Sequence, residues 1–411
     1  MARKGGLQAW IGRWRRARAA PARAPETPRR EAAVPAVDLE TCARALARRH
    51  RDFALREPRP LSSGNQHPRK TLQQHEHSLR RAYAVARVAV AEQRRIEPAA
   101  EWLLDNFYLV RTQLRELAPA LSARTFRKLP RIAEGGDVAP RALSLAREYV
   151  AHVDGRIEPE QVGRFLAAYQ GETALDIAEL WTVPVLLRLA LVERLAQGAR
   201  VIAQRLDEYA SAEYWARYLI DMAGKDASGM LMYVADMARL TTAITPAWVA
   251  EFYRLLEGKH PSLALALTWA EQQLDQRGLN VAHVIDAESR AQAADQVSIA
   301  NCINALRLAS RHNWSDTIEE VCAVDRILGG DPAQTYAQMD FTTRGIYRHA
   351  VEILSQRARI AETELAQRAV AAARDALSPT GDPRVNHVGY HLIGGGRAAF
   401  ERALDATPPP R

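Results

Sequence analysis

Thr245-Pro246-Ala247-Trp248-Val249-Ala250-Glu251-Phe252-Tyr253-Arg254-Leu255-Leu256-Glu257-Gly258 spells out one complete helix. Proline suits the first helical turn, where its missing N–H would have no intrahelical partner anyway. Trp248, Phe252, Leu255 and Leu256 then recur at three- and four-residue spacing and gather on one apolar face. Gly258 is the stop. The same punctuation recurs along the chain. Glu97-Pro98, Glu158-Pro159, His260-Pro261 and Asp331-Pro332 predict further helix starts, and Asp154-Gly155, Gly278 and Gly329-Gly330 predict stops. Between them Ala, Leu, Arg, Glu and Gln recur, side chains that lose little rotamer freedom in a helix. No segment alternates well enough to predict a strand, and no fixed period marks a regular repeat. The reading is an all-α protein, an irregular array of packed helical hairpins, α-solenoid-like or a multi-helix bundle.

Composition sets the boundaries. Residues 1–36 contain Pro21, Pro25, Pro28 and Pro35 and read as a disordered basic tail. Residues 37–70 read as a short helix, from about Asp38 to Leu55, and a loop carrying Pro58, Pro60, Gly64 and Pro68. Residues 71–404 form the helical domain, with length enough for two subdomains, and residues 405–411 are a proline-rich end.

The net charge of +8 sits almost wholly in the tail, which holds nine Lys or Arg against Glu26 and Glu31. The rest of the chain is nearly neutral, which argues against nucleic acid as a partner of the folded body. The longest apolar stretch, Val183–Leu195, is interrupted by Arg188, Glu193 and Arg194, so the chain is not expected to cross a membrane by itself. Cys42, Cys302 and Cys322 are odd in number and widely spaced, which predicts neither a disulfide framework nor a zinc site and fits a reducing cytoplasm. The N-terminus lacks the uninterrupted apolar core of a signal peptide. Within the tail, Leu7, Trp10, Ile11 and Trp14 share one helical face over residues 7–18, with Arg13 and Arg16 on the other side. That pattern predicts contact with an anionic membrane surface.

Residues that could carry chemistry have plainer readings. Gly394-Gly395-Gly396 follows no strand and reads as a helix break, not a phosphate loop. His387 and His391 could share a helix face, but no third metal ligand lies nearby in sequence. His75-Glu76-His77 reads as a solvated stretch, and Arg344, Arg348 and Glu352 as a solvated helix face. No serine, cysteine or carboxylate pair is set up for catalysis, and no cofactor or metal is expected. Two helices carry amides among apolar residues. Asn106 projects beside Leu103, Phe107, Val110 and Leu114, while Asn301 and Asn304 share an arc with Val297 and Leu308. A buried amide must be hydrogen-bonded, so these three predict interhelical bonds, with a ligand cleft as the alternative.

The segment Trp102-Leu103-Leu104-Asp105-Asn106-Phe107-Tyr108-Leu109-Val110-Arg111 resembles the N-terminal region of the cyclic β-1,2-glucan synthases. Similar pieces follow in order: His152–Arg156, Glu179-Leu180-Trp181 with Leu187–Glu193, and Gln296–Ile299 with Asn301. Then come Asp331-Pro332, Tyr336, Met339–Arg344, Tyr347-Arg348-His349, and His387–Tyr390 with Leu392-Ile393 and Gly396-Arg397. Gly345, where an acidic residue is expected, and Ala300, in place of glycine, depart from the pattern. The resemblance adds Arg111 and Asp340 to Asn106, Asn301, Asn304, Arg344 and Arg348 as candidate interaction or buried polar residues.

Members of that family are large inner-membrane enzymes, with membrane helices, a processive UDP-glucose glycosyltransferase domain and a phosphorylase-like domain. The sequence ends at Pro408-Pro409-Pro410-Arg411 without counterparts of these. The transferase Gln-x-x-Arg-Trp motif is missing, because Trp10 stands where glutamine would precede Arg13-Trp14. The resemblance therefore implies a non-catalytic helical accessory region at the inner face of the cytoplasmic membrane. It would support a membrane-embedded glycosyltransferase domain in cis or in trans. The alternatives are a free-standing helical adaptor for another protein and, third, an all-α carbohydrate-active enzyme.

Overall fold

The computed structural model describes residues 38–53, 68–122, 126, 129–134, 137–241, 244–376 and 383–406. The tail residues Trp10, Ile11, Arg13, Trp14 and Arg16 lie outside the described residues. Among the described residues sixteen α-helices account for most of the chain. The first five are α1 (Leu39–Asp52), α2 (Pro68–Ala91), α3 (Pro98–Ala120), α4 (Arg141–His152) and α5 (Pro159–Gln170). Next come α6 (Ile177–Lys225), α7 (Met230–Leu240), α8 (Pro246–Leu256), α9 (Ala264–Asp275) and α10 (Val281–Arg311). The last six are α11 (Trp314–Val321), α12 (Ala323–Leu328), α13 (Phe341–Ala358), α14 (Glu362–Asp375), α15 (Val388–Leu392) and α16 (Arg397–Ala406).

The stretch that announced the fold is α8. Thr245 Oγ1 accepts the Trp248 amide at 3.3 Å, and Trp248, Phe252 and Leu256 are buried. Gly258 adopts a φ of +72° beyond its end, a conformation that costs glycine no Cβ clash. Pro98 and Pro159 likewise open α3 and α5. Asp331-Pro332 does not open a helix. The Asp331 carboxylate accepts the Thr335 and Tyr336 amides and folds the chain into a turn ahead of a short 3-10 segment, Tyr336–Gln338. The expectation of no strand is also corrected. Arg131–Glu134 (β1) pairs antiparallel with Asp137–Pro140 (β2), in the register Ile132 with Ala139. Four residues per strand are too few for alternation to show in sequence.

Val183–Leu195 lies inside α6, a helix of 49 residues that spans about 74 Å at 1.5 Å per residue. Leu186, Leu187, Leu189, Ala190, Leu191, Val192, Leu195 and Ala196 are all buried. A helix apolar on every side needs neighbours on every side, and α2, α3, α4, α8 and α10 pack around α6. Its charges find partners inside the protein: Arg188 bonds Gln113 at 2.9 Å, and Glu193 accepts Arg147 Nε and Nη2 at 2.6 and 2.7 Å. No helix among the described residues is long and apolar enough to cross a membrane.

Two hydrophobic cores share α6 and α10. The larger takes α6 from Ile177 to Tyr209 and α10 from Ile299 to Ala309. The smaller takes Ala212, Trp215, Leu219 and Ala223 of α6, Val284 of α10, and the buried faces of α7, α8 and α9. Between Val284 and Ile299, α10 buries no apolar side chain; the buried residue of that span is Glu288.

Candidate functional site

The candidate residues fall into two places. The first is the seam between α3 and α10. Asn106 is half-buried; its Nδ2 donates to Trp102 O at 3.0 Å, and its Oδ1 accepts Arg307 Nη2 at 3.2 Å. Arg307 also lines a cleft of ≈ 370 Å³ with Asn304, Leu308, Arg311 and His312. Val297 is 51% exposed and Leu308 40%, so the arc they share with Asn304 faces solvent, and Asn304 is not a buried amide. The buried face of α10 is rotated from it and includes Ile299, Cys302, Ile303 and Leu306. None of the five residues lining the cleft is a carboxylate. Their guanidinium and amide donors suit an anionic or hydroxyl-rich surface ligand but include no acid–base pair.

Asn301 points elsewhere. Its Nδ2 donates to Asp154 O at 3.2 Å and ties α10 to the turn between α4 and α5. Arg194 of α6 reaches the Asp154 carboxylate and Ser298 Oγ from the other side. Gly155, at φ +76°, lets this turn lie against α10, because an added Cβ would stand 2.7 Å from Cys302 Sγ. Arg111 is exposed and takes no part in the seam.

The second place is a buried polar knot that joins α11, α12, α13 and α15. Arg348 is 3% exposed, which corrects the reading of a solvated face. Its Nη1 donates to Glu319 at 2.7 Å and to Asp325 at 3.1 and 3.3 Å, and its Nη2 to Phe341 O at 3.1 Å. The guanidinium lies 4.8 Å from the Trp181 ring centroid and 4.9 Å from that of Phe341. Burial works against its charge, yet Glu319 and Asp325 hold it so firmly that its pKa is raised. Arg344 bonds the other Glu319 oxygen at 3.0 Å, and Tyr336 donates its hydroxyl to Asp325. Helical spacing could place Arg344 and Arg348 together, but Glu319 and Asp325 come from another helix pair, so sequence reasoning missed them.

The knot continues to His387. Its Nδ1 lies 2.6 Å from Asp331 Oδ2 and its Nε2 2.8 Å from the Tyr347 hydroxyl. Asp331 also accepts the Val388 amide at 3.0 Å. Glycine at 389 is required by this approach: a Cβ there would overlap the Tyr347 hydroxyl and stand 2.6 Å from His387 Nε2. His391 bonds Val385 O at 2.9 Å and does not join His387. Asp340 is exposed and caps α13, accepting the Thr343 amide at 2.9 Å and hydroxyl at 2.8 Å; these bonds hold its pKa low. Among the described residues no group of histidines, cysteines and carboxylates is placed to hold a metal ion. The reading of His75 as solvated is corrected, since its largely buried ring lies 3.8 Å from Glu193. Gly394-Gly395-Gly396 breaks the chain between α15 and α16 against the Tyr390 ring.

Among the described residues these contacts define an almost wholly helical protein whose buried polar residues hold helices to one another. No family model matches the chain. It is similar to the cyclic beta-(1,2)-glucan synthase NdvB of Rhizobium meliloti (strain 1021), with 30% identity over 341 residues. That alignment covers 82% of this chain and 12% of the synthase.

Proposed function

We propose that this chain is a non-catalytic helical support domain for a membrane enzyme that makes cyclic β-1,2-glucan. The observation that carries the reading is the 30% identity to NdvB over 82% of the chain. The placement of the resembling segments supports the non-catalytic part. Trp181, Asp331, Tyr336, Tyr347, Arg348, His387 and Gly389 meet in one buried knot, Asn106 bridges two helices, and Asp154 pins a turn. What these segments share with the synthases is therefore a way of packing helices. The partner is a membrane-embedded glycosyltransferase domain, in cis or in trans, at the inner face of the cytoplasmic membrane.

The test is co-expression with a cyclic β-1,2-glucan synthase core from which the corresponding region has been deleted. The chain should co-purify with that core and restore glucan formation, while the purified chain alone turns over no UDP-glucose. Turnover by the chain alone, abolished by a single carboxylate substitution within it, would overturn the reading. So would failure either to bind the core or to restore its activity.

A further inference from the structure

Where the two cores meet, three carboxylates converge on one buried guanidinium. Arg205 of α6 bonds Glu97, the N-cap residue of α3, through Nη1. Its Nε lies 2.7 Å from Glu288 and its Nη2 2.9 Å from Asp295, both on α10. Glu97 is 1% exposed, and its Oε1 is buried without any hydrogen-bond partner. The other charged and titratable groups facing the cluster do not balance it. Glu208 and Tyr209 come from α6. Arg95, in the turn before α3, lies over the Tyr209 ring and pairs at 3.2 Å with Glu251 of α8, which Arg254 also binds. One positive charge thus faces three negative ones in a site largely closed to water. Taking up a proton there is easier than burying the excess charge. Burial, reinforced by Asp295 and Glu288 against the pull of Arg205, pushes the Glu97 carboxyl up to about 7.

The cluster also sits where apolar packing is thinnest. Residues 285–298 of α10 bury no apolar side chain. Their ties to the body include Glu288 and Asp295 on Arg205, the Gln292 amide on the Tyr209 hydroxyl at 2.8 Å, and Arg194 on Ser298 at 3.2 Å. The hold on this span is therefore chiefly electrostatic. We propose that Glu97 is a proton site that locks the junction between the two cores. With the proton bound, α3, α6 and α10 close around Arg205. Once it leaves, repulsion among Glu97, Glu288 and Asp295 loosens residues 285–298 and frees the smaller core to move against the larger. This does not depend on the glucan reading.

The sign follows from linkage. A carboxyl with a raised pKa in the closed state stabilises that state fully below its ordinary value, and the contribution is lost as pH rises through 7. Hydrogen exchange of peptides covering 285–298 in the full chain, corrected for intrinsic rates, reads it directly. The opening equilibrium should rise more than about tenfold from pH 5 to 7 and level off above. Glu97→Gln, which keeps the shape and removes the titration, should flatten that rise. Glu288→Gln, which removes one of the three charges, should shift it to lower pH and guards against a folding defect peculiar to position 97. A flat profile in the parent protein overturns the proposal. So does a profile that neither substitution changes.

Discussion

Two buried arginines organise this molecule, and they are built differently. Arg348 and its neighbour Arg344 face Glu319 and Asp325, two charges against two. The carboxylates are shared among both arginines and the Tyr336 hydroxyl. Arg205 faces Glu97, Glu288 and Asp295 alone, one against three. The balanced knot is surrounded by the larger core, and its Arg348 guanidinium lies against the rings of both Trp181 and Phe341. The unbalanced one lies between two cores. Similar residues thus make a fixed joint in one place and a titratable joint in the other, because counter-charge and surrounding packing differ.

The sharpest way to break this comparison is Arg348→Met. Removing the cation leaves buried Asp325 without its counter-charge and Glu319 with Arg344 alone, and breaking a buried pair from one side typically costs roughly 3–5 kcal/mol. Denaturant unfolding should show a loss of that size, and a loss below about 1 kcal/mol would mean that the knot is not an electrostatic joint. Gly389→Ala sharpens the same side. The added methyl overlaps the Tyr347 hydroxyl, so Tyr347 and His387 must part at about 1–3 kcal/mol, and Tm should fall accordingly.

His50 offers a contrast in sign to Glu97. It is buried, bonds the Tyr169 hydroxyl at 2.8 Å, and is driven down to about 4 by burial, with Arg49 and Arg141 adding to the fall. A histidine kept neutral in the fold stabilises fully above its ordinary value of 6.5, and the contribution is lost as pH falls toward 4. Glu97 and Glu362, both pushed up to about 7 mainly by burial, act in the opposite direction as pH rises. Tm should therefore decline through the carboxyls from about pH 5 to 7 and level off above. Over that range His50 opposes the carboxyls, so His50→Gln should steepen the decline of Tm with rising pH; identical slopes in the two proteins would refute the assignment.

Asn106→Leu should cost about 1 kcal/mol, because a half-buried amide gives up one bond to Arg307, while Asn304→Leu, on the exposed arc, should be near neutral. Asp340→Ala removes the α13 cap and should lower stability by about 1 kcal/mol or less. Both small effects are readable as shifts in the denaturation midpoint.

Helix ends were legible where local chemistry sets them: Thr245 with Pro246, Glu97 before Pro98, Gly155 and Gly258. The Asp331-Pro332 start was misread because the aspartate is occupied by His387 and Val388, residues more than fifty positions away. Arg344 and Arg348 share a helix stripe in sequence, but the carboxylates they meet do not show there. A helix's polar stripe looks the same in sequence whether it meets water or carboxylates on a neighbour.

The sequence by itself determined the all-helical class, the punctuation of most helices and the near-neutral body, since propensity, capping and composition act within a few residues. Only the tertiary structure decided which polar residues became joints. The burial of Arg348, the exposure of Asn304 and the three carboxylates on Arg205 depend on how far α6 and α10 run and what packs around them. A charge is stabilised or destabilised by neighbours distant in sequence, at separations of a few ångströms that no local pattern encodes.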